Sequence, residues 1–507
     1  MRRCGMLFLL LVMMCGPATG YQVLVLTPVA TRSVYNLCRS LSEALGDAGH
    51  SVTLVSSYNA SSKHENVTEV HTGADLLEVN SFALGHNTAL NHVTILEIAG
   101  ETGRRMWSNE AIQRLWQQRD SYQAIVIIGF VNEVAVPFLL DYKGAYINLC
   151  TPGIEPLHMK EQGNWLPMSV VPGIVTTFTH DMTFMERVLN PLLTLWPYLW
   201  YQYNVIPRFQ ELLQEFFPNL PPLTTLYWNS SLTLINSHYA VDGPVPLLPT
   251  QVEVGTINAK KASPLPQDLE EFMEGAGEAG VIVFSLGSVV KSGQIPHRYK
   301  MILVEAFRRL PQRVLWKYED DDLDLPANVL TRKWLPQQDV LGHRRTRVFI
   351  SHCGNLGIQE ALYHAVPVLA LPIVHDQPRN AHRLAKNGYA YLLNWKDLSV
   401  DAILNGVETL LRDPTYRERV KDVSRMLQDQ KESAGERAVW WVEHAIRHQG
   451  SPLLVYAGKR LNFIQYIMLD VFVFWLVVLS SWAFLSYYCV RRLFGWWCCR
   501  SGKDKLE

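Results

Sequence analysis

Cysteine is scarce in this chain wherever it could do chemistry. Of eight cysteines in 507 residues, Cys4 and Cys15 fall in an apolar leader, and Cys489, Cys498 and Cys499 fall within or after an apolar run near the other end. Cys38, Cys150 and Cys353 remain, too far apart for a disulfide framework or a metal-ligand spacing. Net charge is almost absent as well. A formal value of -1 leaves no basic face to neutralise phosphates, so no nucleic acid is expected as a partner. The marks of disorder are also missing, since 48% of the residues are hydrophobic and 18% charged, and the length calls for two or three domains.

What is there begins with the two ends. Arg2 and Arg3 precede the apolar stretch MLFLLLVMMC (residues 6–15), and Ala18 and Gly20 stand just before Tyr21. This layout predicts a signal peptide over residues 1–20, too short to span a bilayer. Near the other end VFVFWLVVLSSWAFLSYYCV (residues 471–490) carries no charge and is long enough to cross hydrocarbon, so a transmembrane helix is expected over 467–490. Arg491, Arg492, Arg500, Lys503 and Lys505 follow it, which puts the tail 491–507 in the cytosol and the body in the lumen, a type I membrane topology. The terminal KDKLE resembles the dilysine signal that returns membrane proteins to the endoplasmic reticulum. Sequons at Asn59, Asn66 and Asn229 agree with a lumenal body, and Cys498 and Cys499 are candidates for palmitoylation.

The body reads as two α/β halves. The first opens with the strand pattern QVLVLT (residues 22–27), the loop PVATRSVY (28–35), a helical pattern with Leu37, Leu41, Ala44 and Leu45 on one face, and a strand SVTLV (51–55). YQAIVIIGF (122–130) is a further strand, covered on both faces. The second half repeats the plan: GVIVFSLGS (280–288), a helix over 299–310 and a strand RVLWKY (313–318). VDGPVPLLPT (241–250), with three prolines, is expected to be a stiff connector and hinge, placing an amino-terminal domain over 21–247 and a carboxy-terminal one over 248–450. Residues 184–217 concentrate Trp196, Tyr198, Trp200, Tyr201 and Tyr203 between prolines that are expected to limit helix length. Core helices, an aromatic pocket for a lipophilic substrate, and helices dipping into the lumenal leaflet all fit that segment.

The most informative stretch is WLPQQDVLGHRRTRVFISHCGNLGIQEALYHAVPVLALPIVHDQ (residues 334–377). Within it VFIS is a strand, HCGNLG a glycine-bearing turn and IQEALYHA the body of a helix. A strand running through a small-residue turn into a helix amino terminus makes an anion site, because free N–H groups and the helix dipole converge there.

The whole constellation resembles the signature of the UDP-glycosyltransferase family, including its animal UDP-glucuronosyltransferase branch. FSLGS (284–288), KWLPQQDVLGH (333–343), DQPRN (376–380) and VEVGTIN (252–258) extend the resemblance from signal to tail. It implies two facing Rossmann-like domains of the GT-B type with a single C-terminal transmembrane helix. It also implies donor-site roles. Trp334 would stack on uracil and Gln337 would help hold the nucleoside. His352, the backbone N–H groups around Gly354, Asn355 and Gly357, and Ser288 would hold the diphosphate. Glu360 would accept both ribose hydroxyls, and Asp376 and Gln377 would grip the sugar. Gly357 stands where plant relatives usually carry Ser. The acidic run EDDDLD (319–324) is expected to be a solvent-facing loop, and neither a metal nor another cofactor is expected beside the UDP-sugar co-substrate.

One family feature is missing. The family inverts the anomeric centre by attack of an acceptor hydroxyl, deprotonated by a His in the first loop and steadied by an Asp after a later strand. Aligned on Pro28 and Ser33, the His position falls on Val34, and the Asp position falls near Ile128 or Gly129. Three hypotheses follow: a transferase for a small lipophilic acceptor that brings its own nucleophile, such as an amine or thiolate; an enzyme with a displaced base among Glu133, His180 and Asp181; or a catalytically silent UDP-sugar-binding partner of active family members in homo- or hetero-oligomers. The donor stays open between glucose and glucuronate.

Overall fold

The computed structural model describes residues 20–74, 82, 88–129, 131–288 and 290–503. The signal stretch before Gly20, Phe130 and the final residues of the dilysine tail, Lys505 included, lie outside them. Among the described residues the strands form two parallel sheets. The first takes the order β3-β2-β1-β4-β5-β6-β7, with β1 (Gln22–Thr27), β2 (Ser51–Ser56), β3 (Val67–His71), β4 (Ala124–Ile128), β5 (Ala145–Cys150), β6 (Leu232–Ile235) and β7 (Gln251–Glu253). The second takes the order β10-β9-β8-β11-β12-β13, with β8 (Val281–Ser285), β9 (Arg313–Lys317), β10 (Val329–Arg332), β11 (Thr346–Ser351), β12 (Val368–Ala370) and β13 (Ala390–Leu392). Every residue of β4 and of β8 is buried, as expected where helices cover both faces of a parallel sheet. Along the first sheet Leu24, Leu26, Ile125 and Ile127 enter one core, while Val23, Val25, Ala124 and Val126 enter the other, the period-two alternation of strands.

Six helices matter below: α1 (Arg32–Asp47), α2 (Phe184–Trp200), α3 (Asn355–Tyr363), α4 (Gln377–Lys386), α5 (Ala434–Arg447) and α6 (Leu469–Lys503). Helix α1 starts earlier than its sequence pattern suggested. Thr31 caps it, its hydroxyl accepting from the N–H of Val34 at 3.4 Å, so Arg32, Ser33 and Val34 form the first turn rather than the end of a loop. Helix α2 contains Pro191 and Pro197 within its span, so these prolines do not limit its length as expected; they only interrupt its hydrogen-bond ladder.

The domain boundary also moves. β7 pairs Thr233 to Ile235 with Gln251 to Glu253 at the edge of the first sheet, so the proline-rich stretch before it is an internal connection of the first lobe and not the hinge. The crossing to the second lobe lies between β7 and β8, past residue 247. Helix α5, read from sequence as part of the second domain, buries Ala438, Val442 and Ala445 in the core of the first. Helix α6 holds a stretch, Leu469–Trp496, which among the described residues is the one long and apolar enough to cross a membrane by length and composition.

Candidate functional site

The two sheets present the carboxyl ends of β1, β4, β8 and β11 to a common region, where ligands of open α/β sheets bind. On the second lobe, β11 ends at Ser351 and the chain turns through Cys353, held at φ 64, into α3. Ile358 is the first residue whose N–H closes back, on the carbonyl of Gly354 at 3.1 Å, which leaves the N–H groups of Asn355, Leu356 and Gly357 at the open end of the helix. His352 sits at this end, 9% exposed. A Cβ built on Gly287 or on Gly354 would lie 2.5 or 2.6 Å from its ring, and Gly287 has φ 77, so both glycines exist to let the imidazole in. Burial, then the nearby charge of Lys317, pushes the His352 pKa down to about 4, so the ring is neutral at working pH, and its Nδ1 has no partner in the protein. A neutral imidazole offers one N–H to a phosphate oxygen and the helix end offers several more.

Around this centre the other predicted donor residues assemble unevenly. Glu360 on α3 accepts from Gln337 Nε2 at 2.7 Å and from Asn258 Nδ2 at 3.1 Å, and burial pushes its carboxyl up to about 7. Trp334 is 54% exposed, which leaves a broad ring surface open. Asp376 accepts from Asn380 Nδ2 at 2.7 Å. Gln377 spends its oxygen on the N–H groups of Ile373 and Val374, so only its amide nitrogen is left for a ligand. The side chain of Asn355 turns away from the helix end and donates to the Asn236 carbonyl of the first lobe at 2.7 Å, leaving its backbone N–H as its contribution. Ser288 occupies the turn after β8, next to Gly287. Gly357 has room for a Cβ, which would lie 3.5 Å from Gln337 Nε2, so a serine would fit there.

Three participants carried no role in the sequence reading. Asn258 belongs to VEVGTIN, a stretch recognised as a match but not as part of the site. Lys317, at the end of β9, lies 5.8 Å from the Trp334 ring and pairs with Glu319 at 2.6 Å. Arg32, from the first turn of α1, places its guanidinium 5.3 Å from the Trp334 ring centre and 5.4 Å from the rings of Tyr35 and Tyr58, a contact between lobes that no local pattern announces. The acidic run after β9 is the largely exposed loop expected, and three of its five carboxylates are paired: Glu319 with Lys317, Asp321 with Lys333 and Asp322 with Lys300.

The candidate bases separate. Val34, the position aligned with the family histidine, packs against the core of the first lobe, and Leu356 of α3 packs against the same core. Asp181 is exposed and paired with Lys386 at 2.8 Å, and that partner holds its carboxyl below the ordinary value. His180 directs both ring nitrogens at backbone carbonyls, of Val170 and of Asp242. Glu133 is fully buried, with one oxygen bound to the Tyr201 hydroxyl and the other without a partner, and burial pushes it up to about 7. His158, which sequence reasoning did not single out, packs against Gly129, so closely that a Cβ there would sit 2.7 Å from its Nε2. The imidazole thus occupies the space that a side chain at 129 would need, and burial pushes its pKa down to about 4.

Comparison with known proteins gives the family and the fold. A family profile described as UDP-glucoronosyl and UDP-glucosyl transferase matches residues 29–504. UDP-glucosyltransferase 2 of Dactylopius coccus is 33% identical over 502 residues, covering 97% of this chain and 96% of that protein. UDP-glucuronosyltransferase 2B16 of Oryctolagus cuniculus is 36% identical over 353 residues, 69% of this chain and 67% of that one. Among solved structures, the calicheamicin glycosyltransferase CalG4 superposes with a TM-score of 0.56 at 17% identity over 85% of this chain and all of its own, which establishes the shared GT-B fold. The chain belongs to the UDP-glycosyltransferase family.

Proposed function

We propose that the protein transfers a hexose or hexuronic acid, glucose or glucuronate, from a UDP-sugar to a small lipophilic acceptor with inversion, without a base from the first loop. The observation that carries this reading is the neutral, buried His352 set between Gly287 and Gly354 at the open end of α3, with Glu360 fixed beside it by Gln337 and Asn258. Trp334 supports the uracil, Glu360 the ribose diol, and Asp376 with the Gln377 amide nitrogen the sugar; Lys317, His352 and the helix end offset the diphosphate charge. Inversion follows from one in-line displacement: the acceptor's lone pair forms the new bond at the anomeric carbon while UDP leaves from the opposite face.

With Val34 and Ile128 or Gly129 at the two family positions, the acceptor best suited to this site is one that needs no deprotonation before attack, an amine or a thiolate. The first lobe binds it, and the body acts in the lumen of the endoplasmic reticulum, tethered by α6. The test is a donor and acceptor screen on membranes holding the full chain. Labelled UDP-glucose and UDP-glucuronate are offered with matched phenols and amines, and amine-selective transfer is expected. Binding of UDP without transfer to any acceptor would instead make the chain a silent donor-binding partner.

Glu133 favours a second reading, because a carboxyl near 7 with one free oxygen, on the segment after β4, is matched to general-base work near neutral pH. In that case phenols and amines are both glycosylated, and Glu133→Gln abolishes the phenol reaction while leaving UDP affinity unchanged.

A further inference from the structure

Arg32 is a cation that no group of the described residues answers. It stands in the first turn of α1, on the first lobe, with its guanidinium 5.4 Å from the ring centres of Tyr35 and Tyr58 and 5.3 Å from that of Trp334, which belongs to the second lobe. Among the described residues it enters no ion pair and makes no hydrogen bond, and its Nε–H is buried without an acceptor. Ring contacts do not replace those bonds, because they use the faces of the guanidinium and leave the donors at its edge unspent. The neighbouring cations are placed differently. Lys317, 5.8 Å from the Trp334 ring, pairs with Glu319 at 2.6 Å, and Arg39, further along α1, donates to Ser61 at 3.1 Å and faces Glu43 at 3.6 Å. A guanidinium fixed by three rings, with free terminal nitrogens between two lobes, is set to receive an anion.

The donor supplies one. With its uracil on Trp334 and its diphosphate at the open end of α3, a UDP-sugar brings its negative charge into the neighbourhood of Arg32; the first turns of α1 and of α3 pack against the same core, through Val34 and Leu356. We propose that Arg32 is the first lobe's contact with the donor, its terminal nitrogens donating to the diphosphate of a UDP-sugar whose base rests on Trp334. The inference rests on the donor site proposed above and adds a residue to it from the other lobe. The planar fork of a guanidinium matches a pair of phosphate oxygens. Its use here gives donor binding an effect on the acceptor side, because the same turn of α1 carries Val34 and follows directly on the loop that leaves β1.

The experiment titrates the full chain in detergent with UDP and with uridine, and follows hydrogen exchange over residues 29–37 with and without UDP. Arg32→Met keeps a long stem against the three rings and removes the charge and the donors. It should weaken UDP binding about tenfold or more and leave uridine within about twofold, whereas Trp334→Ala weakens both. UDP should slow exchange over residues 29–37 in the parent chain and leave it unchanged in Arg32→Met, a difference that packing alone does not produce. Equal UDP affinity in Arg32→Met and the parent overturns the contact. So does a matched loss of UDP and uridine, which makes Arg32 a prop for the Trp334 ring and nothing more. A parent chain that binds no UDP, or that binds it undiminished after Trp334→Ala, overturns the donor site itself and this contact with it.

Discussion

At the scale of single residues, two predictions concern the donor site and a third the family's base position. Base-on-indole stacking contributes about 1–3 kcal/mol, so Trp334→Ala should weaken UDP binding by about 5- to 140-fold, measured by calorimetry. Glu360 gives a pH signature whose sign follows from its environment. Its carboxyl lies near 7 in the folded chain, above the value of about 4.3 in an unfolded one, so the stability it contributes at low pH is lost as pH rises through about 7. A ribose diol bound to Glu360 as proposed should reverse that preference, because the ionised carboxylate accepts two hydroxyl donors. Affinity for UDP-glucose, whose pyrophosphate does not titrate near neutrality, should therefore rise with pH through about 7, and Glu360→Gln should flatten the rise. At the family's base position, Val34→His should confer transfer to phenols, since Val34 stands in the first turn of α1 against the core that Leu356 of α3 also meets; no gain in a phenol assay would count against the alignment on Pro28 and Ser33.

Among the elements, α2 is the one whose exposure asks for an explanation. Phe184, Val188, Leu192, Trp196 and Leu199 are all exposed on a helix that a Thr183–Glu186 capping box starts cleanly. The neighbouring Trp165 packs against Tyr198 of α2 and against Phe463, just ahead of α6, so α2 and the start of α6 belong to one end of the molecule. If lipid covers this face, each large apolar side chain adds roughly 1.5–3 kcal/mol of burial. A chain ending at residue 462 should therefore still float with phospholipid vesicles, and replacing Leu192, Trp196 and Leu199 by Ser should release it into the soluble fraction. The same elements show what could be read in advance. β1, β4, β8 and β11 were visible as unbroken apolar runs, and the turn before α3 as a strand, glycine and helix succession, because burial on both faces and helix capping are local properties of the chain. The start of α1 was missed because Thr31 competes with its neighbours for the cap, and β7 was missed because three residues beside prolines carry no periodicity of their own.

For the molecule as a whole, the sequence could show two lobes but not how they meet, since that contact joins residues far apart in the chain. Arg383 on α4 pairs with Asp242 of the first lobe at 2.5 Å, with side chains 11% and 4% exposed, and Arg379 of the same helix lies 3.3 Å from the carbonyls of Ile154 and Pro152. Asn355 and Gln359 both donate to the Asn236 carbonyl, so α3, whose open end adjoins His352, is tied directly to the first lobe. Helix α5 then returns to the first core, and Arg437 donates to the carbonyl of Glu253 at 3.1 Å. Such ties should make the lobes unfold together. Removing one partner of a buried ion pair leaves the other charge uncompensated and costs about 3–5 kcal/mol. Asp242→Asn should therefore lower the melting temperature and split a single calorimetric transition into two. Saturating UDP should raise mainly the transition of the second lobe, because every residue proposed to hold the nucleotide except Arg32 follows β7 in the chain; if both lobes still melt as one unit, the coupling runs through α5 rather than through the Asp242–Arg383 pair.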